Sequence, residues 1–130
     1  MEETKKPAHG EFCWMELHSK NVEACKPFYA ELFGWDYQTS DAGGMAYHQF
    51  GATGSEKRDG AMFQMGAEFG DAPWQWMGYV AVDNVDAAAE KVKTLGGAVC
   101  VSPTEIPNTG RFCVVTDPGG ATLSLITLKS

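Results

Sequence analysis

The stretch Asn21-Val22-Glu23-Ala24 returns as Asn84-Val85-Asp86-Ala87, 63 positions further along the chain. The same offset places Leu32 on Leu95 and Gly34 on Gly97. Each copy follows an alternating, strand-like run, Phe12 to His18 in the first and Trp76 to Val82 in the second. Each is followed by short apolar runs with turn residues between them. A repeat of this kind marks one supersecondary unit used twice, because a single unit cannot bury its apolar face alone.

Within the first copy, Cys13, Met15 and Leu17 share one face of a period-two run, and Trp14, Glu16 and His18 share the other. The first face suits packing under a helix. The second mixes aromatic and ionisable groups and suits a cavity wall. Asn21 caps the next helix, where Val22, Cys25, Phe28, Tyr29, Leu32 and Phe33 recur at helical spacing, and Gly34 ends it. Pro27 costs a helix interior roughly 3 kcal/mol, so a kink or a start near Lys26 is expected. Strands are expected over Trp35–Gln38, Met45–Phe50 and Ala61–Met65, with a turn at Ala42-Gly43-Gly44.

The second copy repeats the order. A helix with Val85, Ala88, Ala89, Val92 and Leu95 on one stripe stops at Gly96-Gly97. Strands then run over Ala98–Val101, Arg111–Thr116 and Ala121–Leu128, the last hairpin turning at Asp117-Pro118-Gly119-Gly120. The reading is an α+β fold of two βαβββ modules, residues 11–66 and 76–128, with a linker over 67–75 and helices covering one side of the sheet. At 130 residues the chain is read as a single domain, 1–130.

Bulk properties narrow the function. A net charge of −7 and the lack of a basic stripe exclude a nucleic-acid partner. No apolar stretch is long enough to cross a membrane, and the polar start has no signal-peptide core, so the expected location is cytoplasmic. Cys13, Cys25, Cys100 and Cys113 sit inside strand and helix patterns without CxxC spacing, which reads as reduced thiols.

Taken in order, these pieces resemble the vicinal oxygen chelate superfamily, which includes glyoxalase I, bleomycin-resistance proteins and extradiol dioxygenases. The resemblance rests on Asn21-Val22, Phe28-Tyr29 and Leu32-Phe33-Gly34-Trp35 in the first copy. In the second it rests on Val82 through Ala88, Leu95-Gly96-Gly97, Ile106-Pro107, Gly110-Arg111-Phe112 and Asp117 through Ala121. It implies two curved βαβββ sheets paired into a cup that binds a small molecule, often beside a divalent metal. Carried over by register, the metal-ligand positions are Trp14, Met77, Ser124 and Gln64, or Met65 with a one-residue slip. An indole nitrogen has no free lone pair, a thioether suits these metals poorly, and a serine is weak. The expectation is a lost metal site and no cofactor.

Strand parity then nominates a ligand-binding set of Trp14, Glu16, His18, Met62, Gln64, Met77, Tyr79 and Ser124. Glu16 and His18, roughly 7 Å apart by Cα on one strand face, read either as a solvated pair at the rim or as an acid/base pair. With His48 they are also candidates for a relocated metal site. Arg111 is read as a surface charge or as a partner for a ligand carboxylate. Two functions of different class follow: a metal-free carrier of an aromatic or amphipathic small molecule, or an enzyme of lyase, isomerase or dioxygenase type using Glu16, His18 and Tyr79 or non-standard metal ligands. Exposed sheet edges and apolar helix flanks point to a homodimer.

Overall fold

The computed structural model describes residues 6–41, 44–67, 70, 72–107 and 109–129. Its elements are β1 (Phe12–Ser19), α1 (Val22–Phe33), β2 (Trp35–Asp41), β3 (Ala46–Ala52) and β4 (Gly60–Gln64), then β5 (Gln75–Ala81), α2 (Val85–Thr94), β6 (Ala98–Ile106), β7 (Gly110–Thr116) and β8 (Thr122–Leu128). The βαβββ order therefore occurs twice. Ala42 and Gly43 of the expected turn, residues 68, 69 and 71 of the linker, and the first five residues lie outside the described residues.

Two compact units are present, Trp14–Met77 and Gly78–Ser130 with Met1–Cys13. In the first unit the strands run β2-β3-β4-β1, with β1 and β4 parallel and the other pairs antiparallel. A parallel neighbour cannot be reached by a tight hairpin, and α1 opens the crossover that makes it possible. The helix starts at Val22, well before Pro27, contrary to a start near Lys26. Its first turn is secured from outside: Gln64 Oε1 accepts the Val22 N–H at 3.0 Å, and Asn21 Oδ1 accepts that of Ala24 at 3.2 Å. With those donors satisfied, the bond that Pro27 cannot make is a local loss. Gly34 closes the helix at φ 73°, a left-handed conformation that glycine adopts without strain.

The core of this unit is Leu17, Val22, Phe50 and Met62, flanked by Cys25, Tyr29, Trp35 and Tyr37. Trp35 stacks on Phe50 with ring centroids 4.1 Å apart. Gly60 lets β4 pass beside β1, since a Cβ there would run into the Met15 carbonyl oxygen.

In the second unit the strands run β5-β8-β7-β6, again with the first and last strands of the module parallel. Val85, Ala89, Cys113, Val115 and Leu125 form its core under α2. Asn84 Oδ1 caps α2 by accepting the Ala87 N–H at 3.0 Å, as Asn21 does for α1. β6 continues to Ile106 rather than stopping at Val101. Pro103 signals an end in the sequence, but β6 is the edge strand and its register shifts between Val101 and Thr104, where a missing N–H costs no ladder bond. The described part of the amino-terminal arm is tied to this unit: the Gly10 N–H donates to the Ala81 carbonyl at 2.7 Å, and the Ala81 N–H to that of Glu11 at 2.8 Å.

Candidate functional site

Register decides which residues share a face. Leu17 lies opposite Met62, which lies opposite His48, and Leu17 and Met62 pack in the core with Val22 of α1. Trp14, Glu16 and His18 therefore project from the face away from α1. On that face β4 contributes Ala61 and Phe63, opposite Glu16 and His18 respectively, and β3 contributes Gln49 and Tyr47 opposite those two.

A hydrogen-bonded chain runs across this face. Trp14 Nε1 donates to the Tyr47 hydroxyl at 2.9 Å, which donates to Glu16 Oε2 at 2.7 Å. Glu16 Oε1 lies 2.9 Å from His18 Nε2. The His18 ring also leans on Phe63, with centroids 4.7 Å apart. Tyr47 reaches Glu16 across the full width of β4, and fully buried Ala61, the residue opposite Glu16, is small enough to let it pass. Glu16 is only 8% exposed, so it is no solvated rim charge. A buried carboxyl is kept only where its oxygens are partnered, and both are.

Two expected members of the face do not belong to it. Met62 is buried in the α1-side core, and Gln64 follows it by two residues on the same side. The Gln64 amide is engaged at both ends, donating to the Lys20 carbonyl at 2.6 Å and accepting from Val22. It anchors the β1–α1 connection. Parity failed in β4 because Gly60 through Phe63 are all buried, leaving no alternation to read. His48 also lies on the α1 side, where its Nδ1 is 2.8 Å from Thr39 Oγ1, so Glu16, His18 and His48 do not converge as a relocated metal site. Burial, helped by Lys26 and opposed by Glu23, holds the His48 imidazole below the usual histidine range. Tyr47 and Phe63 were not anticipated. The sequence pattern of the third strand does not fix its faces, and only the pairing of Tyr47 with Phe63, and of Phe63 with His18, places Tyr47 on this one.

In the second unit the parity is as expected. Val80 and Leu125 oppose each other on the α2 side, and Tyr79 and Ser124 oppose each other on the other face. Met77, the last residue of the first unit, has the parity of Tyr79 along β5 and is buried. The Tyr79 and Phe112 rings lie 6.5 Å apart. Ser124 is 1% exposed, and its hydroxyl has no hydrogen-bond partner among the described residues. Arg111 is taken up by a two-point ion pair with Asp86 at 2.8 and 2.9 Å, which holds the Asp86 carboxyl below the usual range. A cavity of about 60 Å³ beside Pro7, Val82 and Thr127 is far below the roughly 300–1,000 Å³ of ligand pockets.

The metal common in the resembling superfamily does not fit the donor set. The Trp14 indole already donates to Tyr47, the Gln64 amide is committed to backbone, and Met77 and Ser124 offer a thioether and a neutral hydroxyl. Among the described residues no three His, Cys, Asp or Glu side chains gather as a metal site.

A sequence-family profile described as the Glyoxalase/Bleomycin resistance protein/Dioxygenase superfamily matches residues 13–125. The chain is 37% identical over 114 residues to a Mycobacterium bovis protein named "Putative glyoxylase CFP32", covering 86% of this chain and 43% of that protein. It is 33% identical over 129 residues to the Streptomyces peucetius anthracycline biosynthesis protein DnrV, covering 91% of this chain and 47% of that one. The chain thus spans about half the length of these relatives. Among solved structures, methylmalonyl-CoA epimerase from Mycobacterium tuberculosis shares the fold, with a TM-score of 0.61 at 15% identity over 93% of this chain and 89% of the other.

Proposed function

The chain belongs to the Glyoxalase/Bleomycin resistance protein/Dioxygenase superfamily, and from that premise we propose that it binds a flat aromatic or amphipathic small molecule without a metal ion. The observation that carries this reading is the Trp14–Tyr47–Glu16–His18 chain, which gathers an indole, a phenol, a carboxyl and an imidazole on one sheet face beside Phe63. Aromatic surface with a few fixed polar groups is what orients an organic ligand. Tyr79 and Ser124 offer similar chemistry on the corresponding face of the second unit. The relative named for anthracycline biosynthesis supports an aromatic ligand class.

A cytoplasmic homodimer completes the reading. The four free cysteines suit a reducing compartment, and burial pushes the Cys13 and Cys113 thiols up, away from reactivity. Calorimetric titration of the metal-stripped protein with an anthracycline, and in parallel with methylmalonyl-CoA, tests the ligand class. Saturable one-to-one binding of the anthracycline, weakened at least about tenfold by Trp14→Ala, is expected. Absence of binding to planar aromatics, or binding restored only by a divalent metal, overturns it.

One observation favours a second reading, an acid/base enzyme. The 2.9 Å contact between Glu16 Oε1 and His18 Nε2 is the arrangement in which a carboxyl fixes the orientation of a catalytic imidazole. Deuterium uptake from solvent at the acidic carbon of an acyl thioester, lost in His18→Gln, distinguishes this from simple binding.

A further inference from the structure

Gln49 is a polar group on the first unit's face that the hydrogen-bonded chain leaves unused. It lies on β3 opposite Ala61, which lies opposite Glu16 on β1, so the three form one row across the face. The row grades outward from buried Glu16 and fully buried Ala61, through half-buried Gln49, to exposed Gln38 on β2. Among the described residues the Gln49 amide makes no hydrogen bond, and neither of its polar atoms is sealed from solvent. The second unit shows that the fold does not require an amide here. Its corresponding row is Tyr79, Ser124 and Val114, with valine in the place of Gln49. Valine is also the better strand residue.

The polar groups of the chain largely serve one another. The Trp14 N–H and the Tyr47 O–H are donated within it, and both Glu16 oxygens are engaged. A flat ligand lying on the Tyr47 ring therefore needs a further group to fix its rotation. Gln49 stands two residues along the same strand face, roughly 7 Å away by Cα. We infer that Gln49 is the specificity-determining residue of the proposed ligand site, and that the ligand is a fused aromatic with a carbonyl directly beside an N–H or O–H on one edge. The inference rests on the small-molecule reading above and names the edge that the site recognises. A primary amide offers a donor and an acceptor from one planar fork, and its complement is an acceptor and a donor side by side. A ligand with only one of the two covers the amide and leaves half of it unmatched, which costs affinity. The Trp14 and Tyr47 rings supply apolar area for the ligand body and do not tell such edges apart.

The test is calorimetric titration of the full chain with phenanthridinone, whose lactam presents C=O and N–H on one edge, and with phenanthridine, the same fused rings with a ring nitrogen alone. Wild type is expected to bind the lactam at least about tenfold more tightly. Gln49→Met, closest in shape, and Gln49→Val, the residue that the second unit holds at this place, are expected to bind the two compounds alike. Far-UV circular dichroism should be unchanged in both variants, and phenanthridine should bind them as it binds wild type. A wild type that binds neither compound overturns the small-molecule reading and this inference with it. A wild type that binds both compounds alike, or a preference for the lactam that either variant keeps, overturns the assignment of Gln49 alone.

Discussion

The Tyr47 hydroxyl donates to Glu16 Oε2 at 2.7 Å across the whole width of β4, joining the third strand of the first unit to its first. That bond and the one from Trp14 depend on a single oxygen. Tyr47→Phe removes it while keeping the ring beside Phe63, leaving the half-buried Trp14 N–H and the buried Glu16 carboxyl each one partner short. The expected loss is about 1–3 kcal/mol in urea unfolding. In a double-mutant cycle with Glu16→Gln the two residues should couple by about 1 kcal/mol. Additive losses would show that the two side chains act independently.

Gly60 supplies a sharper test of the first unit's architecture. A Cβ at this position would strike the Met15 carbonyl oxygen and lie 2.7 Å from the Phe50 ring, so β4 would have to move off β1. Gly60→Ala should cost about 3 kcal/mol or more. Gly119→Ala, whose Cβ would meet only the Asp117 carboxylate at an ordinary 3.4 Å, should stay within about 0.5 kcal/mol of wild type.

His48 links stability to pH. It is buried, bonded to Thr39, and faced from α1 by Lys26 and Glu23. Its folded pKa lies below the unfolded value of about 6.5, so in the window beneath that value the unfolded chain binds the extra proton. Stability from this group is complete above the unfolded pKa and is lost as pH falls toward the folded one. Melting curves from neutral to mildly acidic pH should show a decline that is shallower in His48→Gln. Equal slopes in the two proteins would show that His48 does not carry the decline.

Ser124 separates folding from function. Its buried hydroxyl has no partner among the described residues, so Ser124→Ala should leave the ligand-free protein as stable as wild type or up to about 1 kcal/mol more stable. If the hydroxyl serves the ligand, the same change should weaken anthracycline binding. A stability loss above about 1 kcal/mol would instead mark Ser124 as part of the structural core.

The sequence by itself determined the order of elements, because an alternating run, an asparagine cap, a helical stripe and a glycine stop are local signals, and here they occur twice. It also determined the faces of β1 and β5, where alternation is unbroken. It did not determine the face of β4, whose residues are buried on both sides and carry no period. A one-residue ambiguity there sent Met62 and Gln64 to the wrong face, since successive side chains point oppositely. Pro27 looked like a boundary of α1, and β6 was expected to end at Val101. Tertiary structure overruled both, through Gln64, which secures the start of α1 beside the local Asn21 cap, and through the edge position of β6, which requires no bond. Only the tertiary structure could bring Tyr47 to Glu16, 31 residues apart, because the register that aligns β3 with β4 and β4 with β1 is set by packing across the whole sheet and by no local run of sequence.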